Sequence, residues 1–393
     1  MEENRKLKKT VTLLSILLGL TAGFILVILM ICLRHKDLFA VLQASDVIQE
    51  YYYYYGDTEG EKGLTAAAIK GMAGSLDDVY AYYYTEQEYA DLNASQSGEY
   101  SGIGILIQTP DENGAMILRV YENTPMERAG AKAEDYILEV NGTKVAGLTM
   151  EQLLACFTDD KDASDTILIR RGEETFTVTV SKETVYVPYV SYEMLDNGIG
   201  YIRIDSFLGK VSSETEEAVT SLKEQGAKSL IIDLRDDPGG GLTEVLDTAT
   251  QFLHKGDLIV TIRSRQEKNV EYTAEREGDT ETPVVVLING ESASASELFS
   301  GAMKDYKRAT IVGTQSFGKG IVQSLFRLSA SKGYLKITTD AYYTPNNICI
   351  HGTGITPDHI VELPEEWKGR DVTLIPKDAD TQLQKAIELL SGE

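Results

Sequence analysis

The chain is poor in the residues that build disulfide frameworks and metal sites. Its 393 residues include three cysteines, Cys32, Cys156 and Cys349, and four histidines. The cysteines are far apart and show no paired spacing, which argues against a disulfide framework and against a cysteine-rich zinc site. We therefore predict no metal site.

Basic residues are the second shortage. The chain has 37 lysines and arginines against 61 aspartates and glutamates, and its formal net charge is -24. Proteins that bind a phosphate backbone need a basic surface, so we predict no nucleic-acid partner. The 42% hydrophobic and 25% charged composition is typical of a folded protein, and the length suggests two or three domains of roughly 150 residues each.

Charged residues are also missing from one long segment near the N-terminus. Residues 11–33 contain none, and about 23 helical residues at 1.5 Å each match the ~30 Å hydrocarbon core of a bilayer. We predict one transmembrane helix; a cleaved signal peptide is the alternative. Four basic residues precede the segment and two closely follow it, which favours a cell-membrane protein with a cytoplasmic N-terminus and with everything after residue 36 outside the cytoplasm.

The texture of the chain changes along its length. Apolar residues three to four positions apart predict helices in the first part of the chain. Short strand-like runs follow, together with two helix starts that are marked by capping boxes at Thr124 and Thr149. Strands and helices then alternate, and the runs LIIDL and VVVLI suit strands of an α/β sheet that is covered on both faces. We divide the chain into a cytoplasmic tail and membrane anchor (1–36), an N-terminal helical domain (37–96), a strand-rich domain (97–185), an α/β core (186–362) and a C-terminal helical tail (363–393).

The segment NGESASASE, residues 289–297, is the densest candidate for chemistry. It lies between a predicted strand and a predicted helix, where unpaired amides and the positive end of the helix dipole would stabilise an oxyanion. Ser294 and Glu297 also fit a capping box, which alone explains a serine here. Both interpretations stay open on this segment by itself.

A serine nucleophile needs a base, and the chain has no G-x-S-x-G motif and only scattered histidines. Lys319, in the segment SFGKG, has glycines and apolar residues around it, and a desolvated lysine can act as a base. Gln323 could hold the lysine amine without adding charge. The rival interpretation is a phosphate-binding loop that starts at Gly313, but Gly320 replaces the serine or threonine that would hold magnesium.

Acidic residues surround the turn after the LIIDLR strand. Asp233 and Arg235 are predicted to form a buried ion pair that supports the turn. Asp236 and Asp237 lack further oxygen-rich neighbours, so we interpret them as part of a solvated loop and not as metal ligands.

Together these segments resemble the carboxy-terminal processing proteases, also called tail-specific proteases, which are Ser/Lys peptidases with an inserted PDZ domain. The resemblance extends from about residue 37 to the end and is most specific at GYIRIDSF (200–207), LIIDLRDDPGGG (230–241), residues 292–323 and GTGITPD (352–358). It implies a ClpP/crotonase-like α/β peptidase core with an inserted strand-rich PDZ domain at 97–185, beside the N-terminal helical region and the transmembrane helix.

The resemblance also implies roles for individual residues. Ser294 would be the nucleophile, Lys319 the general base and Gln323 the residue that orients the lysine. The remaining roles are oxyanion binding by the backbone amides of Ala295 and Gly239 or Gly240, and peptide binding by the amides of Gly102, Ile103, Gly104 and Ile105.

The function implied is that of a membrane-anchored serine endopeptidase without a cofactor. Its partner would be a protein or peptide with a free C-terminal tail, which would add to the PDZ domain as a strand and be cleaved through an acyl-enzyme. The family resemblance further implies a homodimer built through the N- and C-terminal helical parts. The alternative is a membrane-tethered binding module, in which a PDZ scaffold carries an inactive protease-like domain.

Overall fold

Two units make up the chain in the computed structural model, which describes residues 2–34, 36–54, 63–96, 98–158, 160, 163–265 and 269–392. The first unit takes in Met1–Thr85 and Leu325–Ile337, and the second takes in Glu86–Ser324 and Thr338–Glu393.

The first unit begins with helices. Its N-terminal elements are α1 (Glu2–Arg34), α2 (Lys36–Tyr51), α3 (Leu64–Gly74) and β1 (Tyr82–Tyr84). In the part of the chain that the structure describes, no helix is both long and apolar enough to cross a membrane. The transmembrane helix predicted at 11–33 is therefore not borne out; that segment lies in α1, which also includes the charged residues before residue 10 and Arg34.

A strand-rich part opens the second unit. Its elements are α4 (Glu86–Gln96), β2 (Glu99–Gly102), β3 (Ile105–Ile107), β4 (Ala115–Val120), α5 (Pro125–Arg128), β5 (Tyr136–Val140), β6 (Thr143–Lys144), α6 (Met150–Leu154), β7 (Ser164–Arg171), β8 (Glu174–Ser181) and β9 (Glu183–Tyr186). One sheet has the order β3-β4-β5-β7-β8 with β6 beside β5, and β2 pairs with β9 separately. Strand β3 is at the edge of this sheet, and its first residue, Ile105, is the last residue of the predicted peptide-binding segment Gly102–Ile105.

The predicted helix starts in this part are confirmed. The Glu127 N–H donates to Thr124 Oγ1 at 3.5 Å and starts α5. At α6, the Gln152 N–H donates to Thr149 Oγ1 at 3.2 Å while the Thr149 N–H donates to Gln152 Oε1 at 2.9 Å. Both helices thus satisfy first-turn N–H groups that would otherwise lack partners.

Strands and helices alternate in the remainder of the chain, as predicted. The elements are β10 (Val190–Leu195), β11 (Ile199–Ile204), α7 (Val211–Glu224), β12 (Ser229–Asp233), α8 (Leu242–Thr250), β13 (Leu258–Ser264), β14 (Val270–Thr273), β15 (Val284–Ile288), α9 (Ala295–Asp305), β16 (Ala309–Gly313), β17 (Ile321–Leu328), β18 (Gly333–Tyr343), β19 (His359–Ile360) and α10 (Thr381–Ser391).

The central sheet has the strand order β10-β11-β12-β15-β16-β19, and every pair after β10–β11 is parallel. All five residues of β12 and of β15 are buried, as expected for strands covered on both faces. Leu383 and Ala386 of α10 pack with Ile231 and Val285 on one face, while helices α7, α8 and α9 contribute to the larger apolar cluster on the other. The carboxyl ends of β12 and β15 meet at one edge, where open α/β sheets commonly place their sites.

Several strands were not predicted. In the second unit, β13 pairs antiparallel with β14 and with the end of β18, where Thr261 lies opposite Tyr343. In the first unit, β1 pairs with the start of β18, with Tyr82 opposite Lys336. Strand β1 lies within 37–96, the predicted helical domain, and forms there because consecutive tyrosines favour a strand once a partner strand is present.

Candidate active site

Two loops form the centre of the candidate site. The β12–α8 loop (residues 234–241) follows the buried strand β12, and the β15–α9 loop (residues 289–294) follows its parallel neighbour β15. Because the two strands are adjacent and parallel, both loops leave the sheet at the same edge.

Backbone and serine hydrogen bonds hold the two loops together. The Asp237 carbonyl oxygen accepts from the Ala293 N–H and from Ser296 Oγ, both at 3.0 Å. Ser292 Oγ donates to the Leu234 carbonyl at 2.7 Å. Ser292 and Ser296 are fully buried, so two of the three alternating serines have a structural role.

Ser294, the remaining serine, is partly exposed and has an unusual backbone. It is the N-cap residue of α9, and its N–H donates to Glu297 Oε2 at 2.9 Å, which is the glutamate half of the predicted capping box. An ordinary N-cap has an extended backbone, whereas Ser294 has φ 53° and ψ -109°. Such conformations cost about 1–3 kcal/mol and concentrate at functional sites. Capping alone therefore does not account for Ser294.

Gly239 brings the β12–α8 loop against the turn at Ser294. With φ +98°, it approaches so closely that a Cβ there would lie 2.7 Å from the Ala293 carbonyl oxygen, 2.8 Å from the Ala295 nitrogen and 2.9 Å from Ser294 Cβ. Only glycine permits this conformation and this approach without strain.

The three amides predicted to bind an oxyanion differ in their partners. The Gly239 N–H already donates to Asp237 Oδ1 at 2.8 Å. Within the described residues, the N–H groups of Ala295 and Gly240 donate to no protein acceptor. Ala295 and Gly240 are therefore the better placed of the three to receive a ligand oxygen.

A buried glutamate joins the predicted nucleophile to the predicted base. Glu297 is 1% exposed. Its Oε2 accepts from the Ser294 N–H at 2.9 Å and from the Lys319 N–H at 2.8 Å, and its Oε1 accepts from Ser316 Oγ at 2.5 Å and from the Gly318 N–H at 2.7 Å. One carboxylate thus holds both backbone segments. Sequence reasoning missed this role, because three of the four donors are 19 to 22 residues further along the chain.

Lys319 is partly buried and lies two residues before the start of strand β17. The Phe317 N–H donates to the Ser292 carbonyl at 3.0 Å, which adds a second tie between the lysine loop and the serine loop. Gln323 lies in β17, and its Nε2 donates to Thr338 Oγ1 at 3.3 Å. A phosphate-binding loop needs a helix after its lysine, so the strand found here excludes that interpretation.

The prediction of a solvated acidic loop is wrong for Asp237. Its side chain is 0% exposed, and its Oδ2 has no hydrogen-bond partner among the described residues. Burial raises the pKa of Asp237 to about 8. Its neighbour Asp236 is half-buried and accepts from Asn289 Nδ2 at 2.6 Å. The described residues contain no group of three or more ligands that could hold a metal ion.

The predicted ion pair between Asp233 and Arg235 is confirmed. Arg235 Nη2 lies 2.6 Å from Asp233 Oδ2 and 2.8 Å from Asp380 Oδ2, with all three side chains buried. Burial by itself would raise the pKa of Asp233, but the charge and hydrogen bonds of Arg235 outweigh it and lower that pKa below its usual value. The pair therefore supports the start of the β12–α8 loop.

The predicted peptide-binding segment, Gly102–Ile105, links β2 to edge strand β3. The carbonyl oxygens of Ile103 and Gly104 accept from the N–H groups of Met126 and Tyr121, both at 3.0 Å. The carbonyl groups therefore anchor the segment to the rest of the strand-rich part. Along β3 itself, pairing is recorded with β4 on one side.

A strained serine at a strand-to-helix junction, beside unpartnered amides on the edge of a largely parallel sheet, is the arrangement of a serine hydrolase. Residues 198–361 match peptidase family S41. The chain is 34% identical over 385 residues to the carboxy-terminal-processing protease of Bartonella bacilliformis, covering 89% of this chain and 88% of that one. It is 35% identical over 335 residues to the carboxyl-terminal-processing protease of Synechocystis, covering 84% and 77%.

A solved structure agrees on the fold. A candidate S41 protease from Bacteroides fragilis superposes with a TM-score of 0.56 at 18% identity, covering 88% of this chain and 96% of that one. The chain belongs to the carboxy-terminal processing proteases of peptidase family S41 and is a serine-type peptidase. This membership favours the peptidase over the binding-module alternative.

Proposed function

We propose that this peptidase cleaves its protein substrates with a Ser/Lys dyad, in which Ser294 is the nucleophile and Lys319 is the general base. The observation that carries the proposal is the shared carboxylate of Glu297, whose Oε2 accepts from the N–H groups of both residues. Of the three alternating serines, Ser294 alone is partly exposed and strained, which suits a nucleophile.

The chemistry follows from these positions. Neutral Lys319 takes the proton from Ser294 Oγ as the oxygen attacks the scissile carbonyl, and returns it to the leaving amine. Gln323 orients the lysine amine. The N–H groups of Ala295 and Gly240 bind the oxyanion, and water then hydrolyses the acyl-enzyme. No step requires a cofactor.

The decisive experiment follows the cleavage of an unstructured protein with apolar C-terminal residues by the purified full chain. We expect Ser294→Ala and Lys319→Ala to lose activity by several orders of magnitude, because each removes one partner of the proton transfer. Lys228→Ala is the matched control, since this lysine is exposed. Equal cleavage by wild type and Ser294→Ala would contradict the dyad.

A second part of the proposal is substrate capture by a PDZ domain at residues 97–185. An extended tail would add to the open edge of β3, and the amides of the Gly102–Ile105 segment would receive its terminal carboxylate. The edge position of β3 and the glycines before it support this assignment. We expect a substrate with an amidated C-terminus to be cleaved more slowly, through a raised KM, than the same substrate with a free carboxylate. Equal KM values would contradict tail capture.

We also propose that the enzyme acts at the cell membrane, with its peptidase core outside the cytoplasm, and that it forms homodimers. The charge-free segment 11–33 and the exposed apolar side chains of α1, such as Leu18 at 74%, support membrane attachment. Dimerisation follows from the family resemblance alone. Cell fractionation, combined with digestion of intact cells by an external protease, tests the location. Measurement of the molar mass of the purified chain tests the assembly.

A further inference from the structure

Asp237 is a buried acid at the active site for which the proposed reaction has no role. It lies in the β12–α8 loop, where its carbonyl oxygen holds Ala293 and Ser296 while its side chain holds the Gly239 N–H. The side chain is 0% exposed. Asp237 therefore contacts the segments that carry the nucleophile and the oxyanion-binding amides.

The surroundings of the Asp237 carboxyl group favour its neutral form. Oδ1 accepts from the Gly239 N–H at 2.8 Å, but Oδ2 has no partner among the described residues. An ionised oxygen without a partner is costly to bury, whereas a neutral carboxylic acid is far less so.

The charged groups near Asp237 do not reverse this preference. Arg203 favours ionisation and Asp205 opposes it. Arg203 Nε donates to Asp205 at 2.7 Å, which offsets part of its charge, while its Nη1 has no hydrogen-bond partner among the described residues. The other acids on the packed elements, Asp236 and Glu297, accept hydrogen bonds from other groups, Asn289 Nδ2 and the Gly318 N–H among them. Burial raises the pKa of Asp237 to about 8, although the hydrogen bond from the Gly239 N–H lowers it.

We propose that Asp237 is a positioning residue that supports catalysis only as a neutral acid and switches the enzyme off when it ionises. The proposal rests on the Ser/Lys mechanism and on the oxyanion site at Ala295 and Gly240. A neutral Asp237 holds the Gly239 turn against Ser294. An ionised Asp237 places a negative charge beside the amides that must stabilise a negative oxygen, and in a buried site that repulsion is strong.

The switch predicts a bell-shaped dependence of kcat/KM on pH. The rate rises as Lys319 loses its proton and falls at higher pH as Asp237 loses its own. Beyond the midpoint of the alkaline limb, a single ionisation lowers the rate about tenfold per pH unit.

The test is to measure kcat/KM of the full chain with a tail peptide between pH 5 and pH 10. We expect Asp237→Asn to keep the ascending limb and to lose the alkaline limb, because asparagine can still accept from the Gly239 N–H but cannot ionise. Asp237→Ser, which is also neutral and polar, should behave likewise if asparagine disturbs folding. Asp236→Asn is the matched control and should keep the alkaline limb. An alkaline limb that survives in Asp237→Asn, or that is absent from wild type, overturns the proposal.

A stability measurement separates this proposal from the dyad. A raised folded-state pKa means that the folded chain holds a proton that the unfolded chain has released, so Asp237 costs stability increasingly from about pH 4 to about pH 8. In a Ser294→Ala background, we expect Asp237→Asn to raise Tm progressively across this range, with a constant gain above it. If Tm follows this course while Asp237→Asn has the same pH–rate profile as wild type, Asp237 ionises without controlling catalysis and the switch fails. If instead Ser294→Ala and Lys319→Ala retain activity, the dyad itself fails.

Discussion

Two buried aspartates four positions apart show how differently neighbouring parts of this molecule treat the same side chain. Asp233 and Asp237 are both 0% exposed, one at the end of β12 and the other in the loop that follows. Asp233 is held ionised by Arg235, whereas Asp237 has an unpartnered oxygen and a pKa raised to about 8. The comparison shows that partners, and not burial alone, set the charge of a buried acid.

The difference matches what each region does. Around Asp233, Arg235 also donates to Asp380 at 2.9 Å and to Gln382 at 3.0 Å, so it ties the N-terminus of α10 to the central sheet. Around Asp237, the donors are the N–H groups of Gly239 and Ala293 and the hydroxyl group of Ser296. An ion pair keeps both of its groups charged and suits a permanent structural contact. Uncharged amide donors, in contrast, allow the carboxyl group to gain or lose a proton.

The largest effect should come from breaking the ion-pair region. Arg235→Met leaves Asp233 and Asp380 buried without their counter-charge, and we expect a loss of about 3–5 kcal/mol in the free energy of unfolding, measured with urea. Arg276→Met is the control, because its pair with Glu216 is about half exposed on both sides and is worth at most about 1 kcal/mol. Equal losses in the two variants would contradict the structural role of Arg235.

Lowering the pH should reproduce part of the loss of stability that is expected for Arg235→Met. Because the folded-state pKa of Asp233 is lowered, its stabilisation is fully present above the unfolded value of about 3.9 and is lost as pH falls below it. Asp237 works in the opposite direction, so a comparison of Asp233→Asn with Asp237→Asn should show stability changes of opposite pH dependence. If the stability changes of the two variants followed the same pH dependence, the opposite pKa shifts of Asp233 and Asp237 would be contradicted.

The next largest effect should come from Glu297→Gln. An amide NH₂ in place of one carboxylate oxygen faces hydrogen-bond donors, which leaves buried donors unpaired and costs about 2–3 kcal/mol. Because Ser294 and Lys319 then lose their common acceptor, we also expect kcat to fall further than KM changes. Glu291→Gln, which changes an exposed acid in the loop just before α9, is the control and should change stability by less than about 0.5 kcal/mol.

A smaller loss of stability, with a large loss of activity, is expected for Gly239→Ala. The methyl group would collide with the nucleophile turn, and we expect a cost of about 1–3 kcal/mol together with a fall of about 10²-fold or more in kcat. Gly256→Ala is a matched control, since Gly256 has a similar φ of +92° but open space at its Cβ position. Comparable kcat values for the two variants would show that the close approach at Gly239 is not needed.

The smallest effect concerns an exposed pair. Glu277 Oε1 lies 2.6 Å from His254 Nδ1 and accepts its hydrogen, and this hydrogen bond raises the pKa of His254. We expect NMR titration to give a His254 midpoint above the usual value of about 6.5, and Glu277→Gln to bring it back towards that value. An unchanged midpoint would show that solvent screens this pair completely.

The sequence predicted the features that have local signals. The N-cap at Thr124, the capping box at Thr149, the buried strands β12 and β15 and the Asp233–Arg235 pair all depend on residues close together in the chain. The two loops of the candidate site were found for the same reason, because both follow a continuous apolar run.

The features that sequence reasoning missed depend on distant partners. Strand β1 needs β18, which lies far along the chain, and the second role of Glu297 needs donors at 316–319. Asp237 was assigned to solvent because two adjacent aspartates are normally exposed, and only the packing of the β15–α9 loop against it shows otherwise. Local patterns carry no information about such contacts.

Covalent labelling of the nucleophile tests the central claim most directly. The full chain would be treated with a peptide electrophile that acylates activated serines, and the modified residue located by mass spectrometry. The Ser/Lys account predicts one adduct, on Ser294, which forms in wild type and is lost in Lys319→Ala. An adduct on another residue, or equally fast labelling of Ser294 in Lys319→Ala, would contradict it.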